Sequence, residues 1–276
     1  MAEENLVETT KNYYDSTDAD NFYHTIWGGE DIHVGIYNHN NEEILTASRR
    51  TVETMLEMLP PLKEGMQMLD MGAGYGGAAR HIAGEYSIKI DCLNLSETEN
   101  ERNREKTRAA ELENKVSVMG GNFEDMPFSD NTYNVVWSED SFLHSDQKAA
   151  IFAEAKRVLK PGGHFIFTDP MQADDCPPDV LKPILKRIHL KEMGSVKKYR
   201  LLAQKNDLEE VEIKQMPEQL THHYASVLKQ LEAHEEKLQE VCSAEYLTNM
   251  KQGLNHWVNG GNKGYLNWGI LHFKKQ

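Results

Sequence analysis

Apolar residues in this chain recur with two alternating periods. Short apolar runs that end in turn residues, MQMLDM, SIKIDCLNL, VSVMGGNF, YNVVWSED and HFIFTDP, are spaced between residues 61 and 172. GGAARHIAGEY, SETENERNREKTRAAELE and KAAIFAEAKRVLK, stretches of helical character, lie between them. Strands alternating with helices imply right-handed crossovers, and so a mostly parallel sheet covered on both faces. The second of these helices is polar throughout and reads as exposed, with Ser96 and Glu99 at capping-box spacing. The pattern differs on either side of this region. Before it, a Tyr- and His-rich segment precedes a helix in EILTASRRTVETMLEML, which Pro60-Pro61 stops. After it come two helices, CPPDVLKPILKRIHLKEMGS and SVKKYRLLAQKN, and a sixth strand, LEEVEIKQM. A long helical stretch from Leu220 to Gly261 and a last strand, LNWGILHFKK, complete the chain. The expected organisation is 1–60 as lid and helix, 61–172 as a ligand-binding core, and 173–276 as cap helices with completion of the sheet. All three belong to one structural domain.

Composition narrows the function more than the fold. A formal net charge of -14 argues against a phosphate-tracking nucleic-acid binder, which needs a basic face. Cys92, Cys176 and Cys242 show no paired spacing, so neither a disulfide framework nor a zinc site is expected, and no metal is predicted. Without an apolar run near the roughly 18 residues of a membrane span, and with the polar, acidic start MAEENLVETT, the chain is expected to be soluble and cytoplasmic.

The chemistry is concentrated in LDMGAGYGG, residues 69–77, where a strand ends and a helix begins. Gly72 and Gly74 let the backbone turn tightly and approach a ligand, and the following helix start offers unpaired N–H groups. Gly72, Gly74 and Gly77 also satisfy the dinucleotide fingerprint G-x-G-x-x-G, so the turn alone does not separate a nicotinamide from a methyl donor. Two later segments do. GNFEDMPFSDNTYNVVWS, from 121, and RVLKPGG, from 157, stand in the order and separation found in class I methyltransferases. This resemblance implies a Rossmann-like α/β sandwich: a seven-stranded, mostly parallel sheet with a helical N-terminal lid and a helical cap insertion before the last strand. It also implies S-adenosyl-L-methionine as the methyl donor. By the same resemblance Asp70 sits near the amino or ribose end of the donor, and Gly72 and Gly74 border its methionine portion. Asn94 takes the ribose, with Asp91 as its rival. Asn122 receives the adenine amino group, Leu95 and Phe123 flank the ring, and Ser138 follows the fourth strand.

A closer resemblance runs from about residue 10 to the C-terminus. DNFYHTIWGGEDIHVGIY, WSEDSFLHS, TDPM, MGSVKKYRLLA, THHYASV and NHWVNGG together resemble the sarcosine/dimethylglycine N-methyltransferases, which make the osmolyte glycine betaine. The implied reaction methylates sarcosine to dimethylglycine and then to betaine, with a small amino-acid-like amine as the partner. Such a substrate has a carboxylate that needs a cation or donor. Its growing ammonium is tolerated by aromatic faces, each worth about 0.5–2 kcal/mol. Aromatic and imidazole residues cluster on both sides of the core: Tyr13, Tyr14, Tyr23, His24, Trp27, His33 and Tyr37, then His222, His223, Tyr224, Trp257 and Trp268. The expected acceptor contacts are Tyr23, Trp27, His33, Met171, Tyr199, Arg200, His222 and Tyr224, with Arg187 a further candidate for the carboxylate. His144 is the candidate proton acceptor, and Gly28-Gly29 suggests a lid loop.

Three other readings remain at this level. Another small-molecule methyltransferase, acting on a sugar or lipid hydroxyl or on phosphoethanolamine, would need a true base or a basic pocket. A nicotinamide oxidoreductase would lack RVLKPGG. A donor-binding protein without turnover would keep the turn and transfer nothing.

Overall fold

The computed structural model describes residues 6–276; the first five residues of the acidic start lie outside them. The N-terminal segment supplies helices α1 (Leu6–Tyr14), α2 (Thr17–Ile26) and α3 (Ile44–Met58). The core then runs β1 (Gln67–Met71), α4 (Gly77–Glu85), β2 (Lys89–Asn94), α5 (Glu97–Ala109), β3 (Val116–Gly120) and β4 (Tyr133–Glu139). A single 3-10 turn (Phe142–His144) leads into α6 (Lys148–Val158) and β5 (Leu159–Thr168). Beyond these lie β6 (Met171–Gln172), α7 (Lys182–Arg187), α8 (Val196–Lys205) and β7 (Leu208–Gln215). The chain closes with α9 (Pro217–Ala233), α10 (Glu235–Leu238), α11 (Ala244–Asn262), β8 (Leu266–Asn267) and β9 (Gly269–Lys275).

Seven strands form one sheet in the order β3-β2-β1-β4-β5-β9-β7, and β6 pairs with β8 in a separate ribbon. The pairs from β3 through β5 are parallel, whereas β9 runs antiparallel to both β5 and β7. The chain winds outward from β1 through β2 and β3, then crosses back to β4 on the other side of β1. Between β1 and β4 the order reverses, which opens a crevice beyond their carboxyl ends. The LDMGAGYGG bend leaves β1 at this point.

Three expectations change here. The polar helix α5 buries Glu99, Asn100, Asn103 and Thr107 rather than exposing them, because Glu99 and Asn100 meet Asn94 at the end of β2, Asn103 meets Gly76 of the bend and Arg80 of α4, and Thr107 bonds back to Asn103. Asn103 Oδ1, for example, accepts from Arg80 at 3.0 Å. Only half of the capping box forms: Ser96 Oγ accepts from the Glu99 N–H at 3.1 Å, while the Glu99 carboxylate turns to Asn94. Of the segment 176–195 only α7 is helical, since Pro183 allows a helix start but not an earlier turn.

The N-terminal segment is tied across the core by carboxylates. Asp15 Oδ1 accepts from Ser96 Oγ at 2.7 Å at the start of α5. Asp20 takes the Arg102 guanidinium through both oxygens, at 2.5 and 2.6 Å. Glu30 bridges Arg80 at 2.5 Å and Lys106 at 2.7 Å. Gly28 and Gly29, at φ +78° and +74°, turn the chain out of α2 toward this segment.

Candidate active site

Two chambers meet beyond the β1–β4 crevice. The first is lined by Gly72 and Gly74 of the bend, Asn94 and Leu95 after β2, Asn122 and Phe123 after β3, and Glu139 at the end of β4. Gly72, at φ +78°, has no room for a Cβ, which would collide with Ser141 Oγ. Gly74, at φ +51°, is open: a Cβ there would find only Ile32, 3.6 Å away. The bare bend therefore leaves space for a ligand. It offers fewer amides than expected, because the Gly72 and Ala73 N–H groups both donate to the Leu93 carbonyl, at 2.7 and 3.3 Å. The third glycine of the fingerprint serves the lid instead. A Cβ on Gly77 would strike Asp31 and the Glu30 backbone, so the residue lets the lid segment dock on α4.

The second chamber lies between the lid and the cap. Tyr13, Tyr14, Tyr23, Trp27, Tyr224 and Trp257 line it, with Arg187 and four imidazoles, His33, His144, His189 and His223. Its rings form a chain of contacts: Tyr14–Tyr23 at 5.8 Å, Tyr23–Trp27 at 5.1 Å, Trp27–His223 at 5.5 Å, His223–Tyr224 at 5.7 Å and Tyr224–Trp257 at 4.9 Å. Tyr14, Ile32, Asp140 and His144 border both chambers, so a group passing between them crosses here. Tyr14 Oη and His144 Nε2 are 2.8 Å apart. Burial, reinforced by Lys148, pushes His144 down to about 4, so its ring is neutral over the working pH range. Asp140, at φ +51°, accepts from the Val34 N–H at 2.7 Å and the Trp268 indole N–H at 2.8 Å, anchoring the lid to this junction.

Three cationic or N–H groups of the second chamber lack protein acceptors suited to them. Among the described residues Arg187 pairs with no carboxylate; one Nη donates to the Met250 sulfur at 3.0 Å. Its guanidinium occupies space that exists because residue 253 is glycine, since a Cβ there would overlap it. His223 Nδ1 accepts from the Gly35 N–H at 3.2 Å, which leaves the proton on Nε2, and that buried N–H finds no partner among the described residues. The Trp27 indole N–H, also buried, is likewise unpartnered.

Several expected site residues lie elsewhere. Asp70 is buried beneath the bend, paired in register with Cys92 and Trp137, and does not line the first chamber. Burial, then Glu139 and Asp31, hold its carboxyl well above the usual range. Glu139, further along β4, reaches the chamber that Asp70 does not. Ser138 points into the sheet core, donating to the Met71 carbonyl at 2.6 Å. Met171 is packed in β6 against the core, and the neighbouring Pro170 lines the second chamber instead. Tyr199 stands behind the site, donating to Asp169, whose other oxygen accepts from the Leu143 N–H at 2.7 Å and so braces the turn that carries His144. Arg200 is on the surface, paired with Glu210 at 2.8 Å. His222 faces away and stacks on Tyr37 at 4.3 Å; one step along the helix places His223 in the chamber. Asp91, the rival to Asn94, is committed to Ser117 and Tyr133. Asn94 lines the chamber and donates to Glu99 at 2.9 Å, which brings a second carboxylate to the same wall. Burial raises Glu99 to about 7 although Asn94 opposes it. Asn122 Oδ1 already accepts from the Glu124 N–H at 2.9 Å.

Comparison with known proteins fits this arrangement. A methyltransferase domain matches residues 69–167. The sarcosine/dimethylglycine N-methyltransferase of Halorhodospira halochloris is 51% identical over 273 residues, spanning 99% of this chain and 98% of that protein. This chain belongs to the sarcosine/dimethylglycine N-methyltransferase family. A second relative of that name, from Aphanothece halophytica, is 50% identical over 98% of each chain. Among solved structures, a protein from Galdieria sulphuraria described as a sarcosine dimethylglycine methyltransferase superposes with a TM-score of 0.91 at 43% identity. The match covers 96% of this chain and 99% of that one. The fold is the class I methyltransferase sandwich, and the chain is a methyltransferase. No helix of the described residues is long and apolar enough to cross a membrane.

Proposed function

We propose that this family member moves methyl groups from S-adenosyl-L-methionine to the nitrogen of sarcosine and then of dimethylglycine, producing glycine betaine. The observation that carries this reading is the acceptor-side chamber: a guanidinium with no carboxylate partner, Arg187, within a lining of aromatic rings. A small zwitterion whose nitrogen becomes a permanent cation needs both. The carboxylate engages Arg187, with the Trp27 and His223 N–H groups as further donors, while the ring faces receive the growing ammonium. Phosphate esters suit the chamber less, since Arg187 is its one guanidinium and the carboxylate of Asp140 also lines it. Three free cysteines, Cys92, Cys176 and Cys242, suit a reducing cytoplasm.

The donor fits the first chamber. The side chain of Glu139 is 8% exposed there, and its Oε1 has no hydrogen-bond partner among the described residues, so it can balance a cation. Bound at this wall, the sulfonium supplies an already activated methyl carbon. The chain then has only to orient the acceptor nitrogen near about 3 Å from that carbon and exclude water. The Tyr14–His144 pair and Asp140 form the passage; Phe123 and Leu95 offer apolar faces for the adenine, and Asn94 with Glu99 acceptors for the ribose.

Burial raises Glu139 to about 7, with His33 opposing and Asp31 reinforcing. A cationic donor favours its ionised form, so donor binding should release protons near pH 7, and affinity should rise as the pH passes from about 6 to about 8. Calorimetry in buffers of different ionisation heat measures this; a proton count of zero at pH 7 would detach Glu139 from the donor.

The acceptor is tested by incubating the protein with labelled donor and, in parallel, sarcosine, dimethylglycine, glycine and phosphoethanolamine. Label in dimethylglycine and betaine is the expected result. Turnover confined to phosphoethanolamine would replace the reading.

A further inference from the structure

Before each transfer the acceptor ammonium must lose a proton inside the second chamber. The imidazoles of that chamber are not equivalent. His144 has its Nε2 occupied by the Tyr14 hydroxyl and is neutral to about pH 4. His223 has its Nδ1 filled by the Gly35 N–H, keeps its proton on Nε2, and is pushed down to about 3 by burial first, then by His33 and His222. Both have the lone-pair nitrogen engaged and are weak bases, and the fourth imidazole, His189, is exposed. His33 differs in both respects. It is 5% exposed, and its Nδ1 lies 3.2 Å from the Val34 carbonyl, which fixes that nitrogen as the protonated one. Nε2 then carries the lone pair, and it has no hydrogen-bond partner among the described residues. Carboxylates stand beside it: Glu139 Oε1 at 3.3 Å, off the hydrogen-bonding axis, and Asp31 Oδ1 at 4.0 Å.

We propose that His33 is a catalytic residue of this site, its Nε2 taking the proton from the acceptor ammonium while Glu139 and Asp31 act as counter-charges to the imidazolium. This rests on the function proposed above and names a proton acceptor for it. The proton leaves the acceptor nitrogen for Nε2 and frees the nitrogen lone pair. That pair forms the new N–C bond as the C–S bond of the donor breaks, its electrons remaining on sulfur. After product leaves, the imidazolium returns its proton to water. One net proton is released per methyl group.

The charged groups around His33 favour this cycle. Burial lowers its proton affinity, but Glu139, Asp31 and Asp140 together more than offset it and leave the ring above its ordinary value of 6.5. His223, facing it from α9, is neutral. The Arg49 guanidinium stands 3.0 Å from Asp31 Oδ2, on the far side of that carboxylate's pair of oxygens from the one nearest the ring. A base must be unprotonated to act, so kcat should fall as the pH drops through a value above that of an ordinary imidazole.

The test is the pH profile of kcat for the wild-type protein and His33→Asn, at saturating donor and dimethylglycine, with donor affinity measured by calorimetry. His33→Asn should lower kcat by about 100-fold near neutrality and recover at alkaline pH, where the amine sheds its own proton; the wild-type acid limb should vanish. KM for dimethylglycine and donor affinity should change less than about threefold. A kcat within threefold of wild type with the same acid limb would overturn the proposal, as would an equal loss at every pH. Should His33→Asn lose donor binding, His33→Gln is read the same way, and loss of donor binding in both would make His33 a structural residue. Failure of the wild type to methylate dimethylglycine would instead remove the acceptor reading.

Discussion

Gly74→Val is expected to lower donor affinity by about a hundredfold or more while the protein stays folded. Two effects add. The residue sits at φ +51°, where a β-branched side chain costs about 1–2 kcal/mol. The side chain then projects into the donor-side chamber, whose nearest wall is Ile32, so it fills the ligand's space without striking the core. Gly72→Val is the contrasting case. Its Cβ would collide with Ser141 Oγ, which itself donates to the Gly72 carbonyl at 3.1 Å, so the bend and its link to β4 are damaged as well. Calorimetric titration with S-adenosylhomocysteine, paired with thermal melts, separates the two. Gly74→Val should keep a cooperative melt and lose binding, whereas Gly72→Val should lose melting temperature too. Retained affinity in Gly74→Val would mean that the ligand does not lie along the bend.

Arg187→Ala is the second large effect. Removing one partner of a desolvated charge pair costs about 2–5 kcal/mol, so KM for sarcosine and dimethylglycine should rise by about a hundredfold with donor affinity unchanged. A second variant reaches the same group from behind. Gly253→Ala keeps the arginine, but its methyl group would overlap the guanidinium and force it aside. It should raise KM in the same direction, without loss of the helix, because alanine is the better helix former. If Arg187→Ala left KM unchanged, the carboxylate would have to be held by the Trp27 and His223 N–H groups alone. Steady-state kinetics with acceptor varied at saturating donor measure both variants.

The alternation of strands and helices was legible because it follows from period and punctuation. MQMLDM, YNVVWSED and HFIFTDP each formed a sheet strand, and the bend fell at the switch point where a doubly wound sheet binds ligands. Site residues carried by those turns, Gly72, Gly74, Asn94, Leu95, Asn122 and Phe123, line the expected chamber for the same reason. What failed was the direction of single side chains. Asp70 and Ser138 lie at strand ends, where adjacent residues point to opposite faces, and the sequence does not say which face holds the ligand. His222 and His223 are adjacent on α9, so about 100° of helical rotation decides which one enters the chamber. Tyr199 and Met171 carry the residue types of a site but are core residues. Arg187 emerged over Arg200 for a reason no local pattern contains: a glycine 66 positions later leaves room for it. The role of α5 was hidden by its charge. Its polar residues are buried because they face the end of β2, the bend and α4, not because they are apolar.

On the reading proposed above, donor and acceptor occupy separate chambers joined at Tyr14, Asp140 and His144. This arrangement is tested most directly by a crystal structure of the ternary complex with S-adenosylhomocysteine and dimethylglycine. The homocysteine portion should lie along Gly72–Gly74, the dimethylglycine carboxylate on Arg187, and its nitrogen among the rings, facing the sulfur through the junction. Dimethylglycine bound outside the aromatic chamber, or with its carboxylate remote from Arg187, would contradict it.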